Sequence, residues 1–298
     1  MMELSQLRMF KAIADLGSIA RAAQAVHCVP SNITARIKAL ESELGVLLFY
    51  REGRRLQISP AGERFLSYVS RILALADEAK RAVNPLAAPA GSLKIGAIES
   101  SATTRLPALL AKYHAHFQQV SLQLSTATWS QLTDDVTHYR LDGAIVAVDV
   151  ESPYIEKMLI YQEDLVLIAS TSAGKLKSVA DLAGKTFFMW PDGCPYRTAL
   201  EIWCDRHHLN LPIVSFASYG TIVGCISAGA GISLVPKGIF ETYGAAAGLQ
   251  SIEFSDLRTI KIFFIWRKDS GPHPARDAFI HLLKKEFYSV LDGEHNTG

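Results

Sequence analysis

A chain of 298 residues with 49% hydrophobic and 20% charged content has room for two or three soluble globular units with sizeable cores. Its formal net charge of +1 excludes a generic polyanion binder, but residues 1–85 carry 12 Lys and Arg against 8 Asp and Glu, and the remainder 18 against 21. The four cysteines (Cys28, Cys194, Cys204, Cys225) are widely spaced, which argues against a disulfide framework or a zinc site.

In chain order, Glu3 to Leu16 predicts a first helix with Leu4, Leu7, Phe10 and Ile13 in one stripe. The segment lacks a secretory apolar core, and no apolar run has the length of a membrane span, so the expectation is a cytoplasmic chain with no membrane partner. From Ser18 two short helical patterns follow, interrupted at Val26 to Val29. In the second, Ile33, Ile37, Leu40 and Leu44 fall on one face, and Ser31, Ala35, Lys38 and Ser42 point the opposite way with Asn32 and Thr34 on the flanks. Pro30 suits the first turn, where its missing N–H has no intrahelical partner. An outer face this small and polar can enter a DNA major groove. Next comes LFYREGRRLQIS, two strand-like runs around Glu52 and Gly53, with Arg51, Arg54 and Arg55 placed to hold phosphates as a basic wing. Helix, turn, capped helix and basic hairpin in this order read as a winged helix-turn-helix. The DNA-binding candidates are therefore Pro30, Ser31, Thr34, Ala35, Lys38, Arg51, Arg54 and Arg55, with double-stranded DNA as partner.

Pro60 opens a long helix to about Val83, along which Phe65, Val69, Ile72, Ala76, Ala79 and Val83 alternate steps of four and three. That is the spacing of a coiled-coil seam and predicts a homodimer, although the same stripe could pack on its own domain. The stretch from Asn84 to Gly91, NPLAAPAG, reads as a hinge or linker.

The N-terminal segment resembles the DNA-binding end of LysR-type transcriptional regulators. The matching residues are Leu7 and Phe10, Gly17-Ser18, Ala22-Ala23, Thr34, Ile37, Leu40-Glu41, Leu44-Gly45, Leu48-Phe49, Arg51 and Ser59-Pro60-Ala61-Gly62. One departure is Val29, where the family often has Ser or Thr; a valine side chain cannot cap the following helix, so Ser31 or the backbone must serve.

From Ser92 the pattern changes to strand–helix alternation. LKIGAI is a strand, Leu106 to Tyr113 a helix, SLQL a strand, Gln131 to Tyr139 a helix and GAIVAV a buried strand. After Ile155 the series restarts with DLVLIA, TFFMW, a helix from Tyr196 to His207, IVSFA, a helix at Thr221 to Ser227, and ISLV. The strand IKIFFIW then precedes a last helix through Phe279, Leu282, Leu283 and Phe287. This alternation predicts a mostly parallel α/β architecture.

The resemblance implies an N-terminal all-α winged helix-turn-helix (1–60), a linker helix and hinge (61–91) and a C-terminal α/β two-lobed domain like the periplasmic binding proteins (92–298). It places lobe I at about 92–160 and 268–298, lobe II at about 161–267, and the crossings near Tyr161 and Trp266.

In α/β domains ligands gather where strands give way to helix N-termini. Four such junctions carry polar residues here: Glu99-Ser100-Ser101, Thr126 to Ser130, Cys194-Pro195-Tyr196-Arg197, and Ser218-Tyr219-Gly220-Thr221. In the family, equivalent junctions line the cleft that holds a small-molecule effector. The candidate effector-binding residues are Glu99, Ser100, Ser101, Thr128, Asp149, Cys194, Tyr196, Arg197, Tyr219 and Thr221. Arg197 could clamp a carboxylate, and Glu99 or Asp149 could pair with an amine, which points to an amino acid or amine-derived metabolite. Gly229-Ala230-Gly231 lacks the third glycine of a nucleotide loop and reads as a tight turn; the histidines at 114, 116, 207 and 208 lack a third ligand at metal spacing.

The leading reading is an effector-controlled LysR-type regulator, a homodimer or dimer of dimers, with no cofactor, no metal and no catalytic residues; RNA polymerase is a further partner for such a protein. The rival is an enzyme whose α/β domain is catalytic and whose N-terminal domain is regulatory. It requires convergent acid–base or nucleophilic groups in the cleft.

Overall fold

In the computed structural model, which describes residues 1–52, 55–83, 88–174 and 176–294, the first apolar stripe forms α1 (Leu4–Leu16) and buries Leu7, Phe10 and Ile13. Gly17 ends it in the left-handed conformation, and Ser18 caps α2 (Ile19–Ala25) by accepting the Arg21 N–H. His27, at φ 52°, turns the chain into α3 (Pro30–Leu44). Ile33, Ile37 and Leu40 of α3 are buried against α1 and α2, whereas Leu44, expected on the same face, is 37% exposed. No side chain caps α3; Asn32 and Ile33 donate their N–H groups to the carbonyl of Val29, so the backbone does the work and Ser31 does not.

Two strands, β1 (Phe49–Glu52) and β2 (Arg55–Ile58), pair antiparallel with Phe49 opposite Ile58 and Glu52 opposite Arg55. The N-terminal unit is thus helical apart from this hairpin. Glu41 of α3 accepts the N–H groups of Leu48 and Phe49 at 2.8 and 3.2 Å, which joins the helix to the first strand. The Ser-Pro-Ala-Gly stretch starts α4 (Pro60–Ala82). Ser59 Oγ donates to the Leu47 carbonyl at 2.6 Å and accepts the Gly62 N–H at 2.9 Å. A Cβ on Gly62 would lie 2.3 Å from the Leu48 carbonyl oxygen, so only glycine fits there.

The stripe on α4 read as a seam divides differently. Val69 and Leu73 are buried and Phe65 and Ile72 pack beside them in the unit's own core. What faces water is a neighbouring row, with Tyr68 at 60% and Leu75 at 63% exposed, flanked by half-buried Ile72 and exposed Ala79. The correction follows from helix geometry, because one position of rotation moves the stripe by about 100°.

The C-terminal unit contains two five-stranded sheets. The first is built from β3 (Gly91–Ala97), β4 (Val120–Thr126), β5 (Gly143–Val146) and β6 (Ile155–Glu163). Between these strands lie α5 (Glu99–Thr104), α6 (Leu106–His116) and α7 (Trp129–Thr137). The second holds β7 (Leu165–Ser170), β8 (Phe187–Met189), β9 (Ile213–Ser215), β10 (Ile232–Pro236) and β11 (Leu249–Ile252). Its helices are α8 (Pro195–Arg206), α9 (Tyr219–Ser227) and α10 (Lys237–Tyr243). The chain then returns to the first sheet as β12 (Ile260–Arg267) and ends in α11 (Pro274–Glu294).

Strand orders are β4-β3-β5-β12-β6 and β11-β7-β10-β8-β9. Two expectations change. The sheets are mixed, because β12 runs antiparallel to β5 and β6, and β7 antiparallel to β10 and β11. The lobe boundary also moves: β12 pairs with β6 from Ile260 opposite Glu163 to Arg267 opposite Ile155. It therefore belongs to lobe I, and the crossings lie at residue 164 and within residues 253–259, not near Tyr161 and Trp266. Gly229 adopts φ 80° after α9, and a Cβ on Gly231 would meet the Thr186 carbonyl at 2.2 Å, so that glycine pair is a turn.

Candidate functional site

On α3, the face away from the core carries Pro30, Ser31, Ala35 and Lys38, all exposed. Thr34 is half-buried, and its hydroxyl donates to the Pro30 carbonyl at 2.9 Å, leaving the oxygen lone pairs free to accept. Arg36 is occupied elsewhere, donating to Glu3 at 2.7 Å. The outer surface of α3 is therefore small, polar and cationic through Lys38, as a groove-entering helix requires. Arg54 and the side chains of Arg51 and Arg55 lie outside the described residues.

In the C-terminal unit, the helix starts after β3, β4, β8 and β9 meet around one cavity of about 200 Å³ between the lobes. Glu99 and Ser100 enter from α5, Thr128 to Ser130 from the start of α7, Cys194 and Tyr196 from α8, and Tyr219 from α9. Both lobes tie to each other at its rim. The hydroxyls of Ser100 and Tyr196 share a hydrogen bond of 3.0 Å, and Glu99 Oε1 accepts the Tyr219 N–H at 3.1 Å. Trp129 Nε1 donates to the Gly193 carbonyl at 2.9 Å.

Burial pushes the Tyr196 and Tyr219 hydroxyls well above the usual tyrosine range, so both stay neutral at ordinary pH. Burial likewise raises the Cys194 thiol, against the pull of the backbone N–H groups of Arg197 and Tyr196. A thiol so held is a small neutral wall and not a reactive thiolate.

Of the ten residues expected from the sequence, six line this cavity: Glu99, Ser100, Thr128, Cys194, Tyr196 and Tyr219. Four do not. Ser101 is buried on a bond of 2.8 Å to the Tyr161 hydroxyl. Asp149 pairs with Lys157. Thr221 is exposed on α9 and donates its N–H to Ser218. Arg197 is turned into its own lobe: Nε meets Glu201 at 2.8 Å, Nη1 donates to Ser215 at 3.0 Å, and Nη2 pairs with Asp192. The carboxylate clamp expected of Arg197 is therefore absent from the cavity lining. The fourfold spacing of Arg197 and Glu201 was a visible signal for this local pair.

The residues that sequence reasoning passed over are aromatic and small. Trp129 and Trp190 stand in the cavity wall, and Trp190 packs on Tyr219 with ring centroids 5.5 Å apart at 57°. Each tryptophan sits at the end of a recognised strand–helix junction, next to Thr128 and after TFFM; attention to polar residues alone hid them.

Residues 4–63 match the family profile described as "Bacterial regulatory helix-turn-helix protein, lysR family", and residues 87–288 match "LysR substrate binding domain". The chain is 34% identical over 288 residues to the HTH-type transcriptional regulator GltR of Bacillus subtilis, covering 96% of this chain and 97% of that one. It is 33% identical to the HTH-type transcriptional regulator SoxR of Arthrobacter sp., covering 95% and 97%. Among solved structures, a full-length OxyR variant from Pseudomonas aeruginosa superposes with a TM-score of 0.77 at 22% identity, over 96% of this chain and 95% of that one. Full-length CbnR complexed with its target DNA gives 0.68 at 24% identity, over 95% and 99%.

Proposed function

Since the chain belongs to the LysR family of bacterial transcriptional regulators, we propose that the cavity between its α/β lobes takes the small effector that governs its binding to DNA. The observation that carries this reading is a cavity walled by residues of both sheets' lobes, so that its occupant touches both at once. Its volume of about 200 Å³ lies below the roughly 300–1,000 Å³ of pockets for drug-sized ligands, which suits a small metabolite.

The DNA-binding half rests on the exposed face of α3, with Ser31, Ala35 and Lys38 turned outward and Thr34 at the edge. Dimerisation is assigned to the row Tyr68–Ile72–Leu75–Ala79 of α4, exposed at Tyr68, Leu75 and Ala79 and half-buried at Ile72, whose steps of four and three suit a seam with a second copy.

Genomic fragments captured by the full-length chain supply the operator for the test. Binding to that operator is then titrated with metabolite extracts, for the native chain and for Ala127→Trp, which fills the cavity. The expected result is an extract-dependent change in DNA affinity that Ala127→Trp abolishes. An unaltered response in that variant places the effector elsewhere.

A further inference from the structure

The chemistry of the cavity wall says more than its size. Among the described residues that line it there is no Lys, Arg or His, and the two carboxylates present are Glu99 and Asp192. Asp192 is held by Arg197 at the outer edge. Glu99 has a backbone partner, the Tyr219 N–H, and no cation faces it across the cavity. Apart from Ile98 the rest of the wall is aromatic or small, with Trp129, Trp190, Tyr196 and Tyr219 gathered around it. Both tyrosine hydroxyls are kept neutral by burial, so neither supplies charge.

The helix N-termini at the cavity favour an anion, but Glu99 already occupies that of α9. A ligand carboxylate finds no guanidinium or ammonium here and would stand beside the Glu99 charge. An ammonium meets the opposite conditions. Glu99 is its counter-charge, and aromatic rings attract a cation through their quadrupole. The arrangement differs from the amino-acid clamp that the sequence suggests, because Arg197 is spent on Glu201, Asp192 and Ser215.

We propose that the occupant of this cavity is a small organic ammonium without a carboxylate, its charge lying between Glu99 and the aromatic wall of Trp129, Trp190, Tyr196 and Tyr219. The proposal rests on the reading of the cavity as the effector site. It names the chemistry of that effector.

The test uses the full-length chain and three matched probe series titrated by calorimetry at pH 7: alkyl- and arylalkyl-amines, the corresponding alcohols, and the corresponding carboxylates. Glu99→Gln is the chosen variant, because its side-chain oxygen can still accept the Tyr219 N–H while the charge is gone. The expected result is saturable binding in the amine series, at least tenfold tighter than the matched alcohols and carboxylates, and weakened at least tenfold by Glu99→Gln. Amine affinity unchanged in Glu99→Gln overturns the proposal, as does a carboxylate or alcohol series that binds as tightly. In those two cases, loss of binding in Ala127→Trp shows that the cavity reading survives and the charge assignment alone falls. If none of the three series binds, the ammonium assignment falls, and the extract response of Ala127→Trp decides the cavity reading by itself.

Discussion

Arg105 donates to Glu163 at 3.1 Å, and only one of the two reaches water: the Glu163 side chain is 2% exposed and that of Arg105 37%. The pair stands where α5 hands over to α6 and where β6 ends at the first lobe crossing. Tyr161 lies under the guanidinium, 5.6 Å from its ring centroid. Burial raises the Glu163 carboxyl above its ordinary range, against Arg105 and the Gly238 N–H, which favour the charged form. Burial also works against the Arg105 charge, but the Glu163 hydrogen bond and charge outweigh it and hold the guanidinium protonated.

Removing the arginine strands a buried carboxyl. Arg105→Ala should destabilise the C-terminal unit by about 1–3 kcal/mol, the cost of an unsatisfied buried group. Denaturant unfolding followed by tryptophan fluorescence reads this directly, since Trp190 and Trp203 lie in the same unit. A change below about 0.5 kcal/mol, the scale of an ordinary surface substitution, would show that water replaces the arginine at no cost.

The same pair has a pH signature. A folded-state carboxyl with a raised pKa holds its proton where the unfolded chain has released it, so stability falls as pH rises from 4.5 through the folded value. Asp164 reinforces the rise, and Arg105 opposes it. Glu163→Gln removes the titration. Melting temperatures across pH 4 to 7 should show the variant gaining on the native chain as pH increases; parallel curves would remove Glu163 from the pH response.

Much of this arrangement was open to sequence reasoning, and the reasons for the rest are physical. Stripes such as Leu7–Phe10–Ile13 and Ile33–Ile37–Leu40 report burial directly, because a helix face repeats locally. The partner of β12 is a long-range choice that no local pattern encodes, so its place in lobe I was missed. The rotation of α4 was hidden too: two adjacent apolar rows share that helix, and only packing decides that Val69 turns inward and Leu75 outward. The cavity was found through its junctions, but Arg197 was assigned to a ligand although Glu201 stood one turn away.

Leu75 and Val69 offer a paired test of the assembly. Leu75→Asp puts a charge on the exposed row and should shift sedimentation from dimer to monomer while leaving the fold intact. Val69→Asp, on the buried row, should instead unfold the N-terminal unit. A Leu75→Asp chain that remains dimeric would discard this row as the seam.

Lys38 makes the DNA contact open to a simple measurement. If its ammonium meets a phosphate, Lys38→Ala weakens binding evenly across sequences and reduces the log–log salt slope by about 0.9. That is the expected outcome. An unchanged slope with relaxed sequence preference would move Lys38 to a base edge.

Ser59 and Gly62 hold the start of α4 against Leu47 and Leu48, the residues that lead into β1. Ser59→Ala should cost about 1 kcal/mol, as for other helix caps. Gly62→Ala should cost about 1–3 kcal/mol, the range for overpacking, because the Leu48 carbonyl occupies the place of its Cβ. Denaturant midpoints of the two variants give the order, and Gly62→Ala equal to native would refute the steric reading.

The carboxylate of Glu41 spans the joint between α3 and β1 by taking the N–H groups of both Leu48 and Phe49. Helix and hairpin are thereby set at one separation before any DNA is met. The ordering entropy of that joint is spent during folding, so it does not recur at each encounter with a duplex. A protein made this way searches DNA as a stamp with a fixed relief.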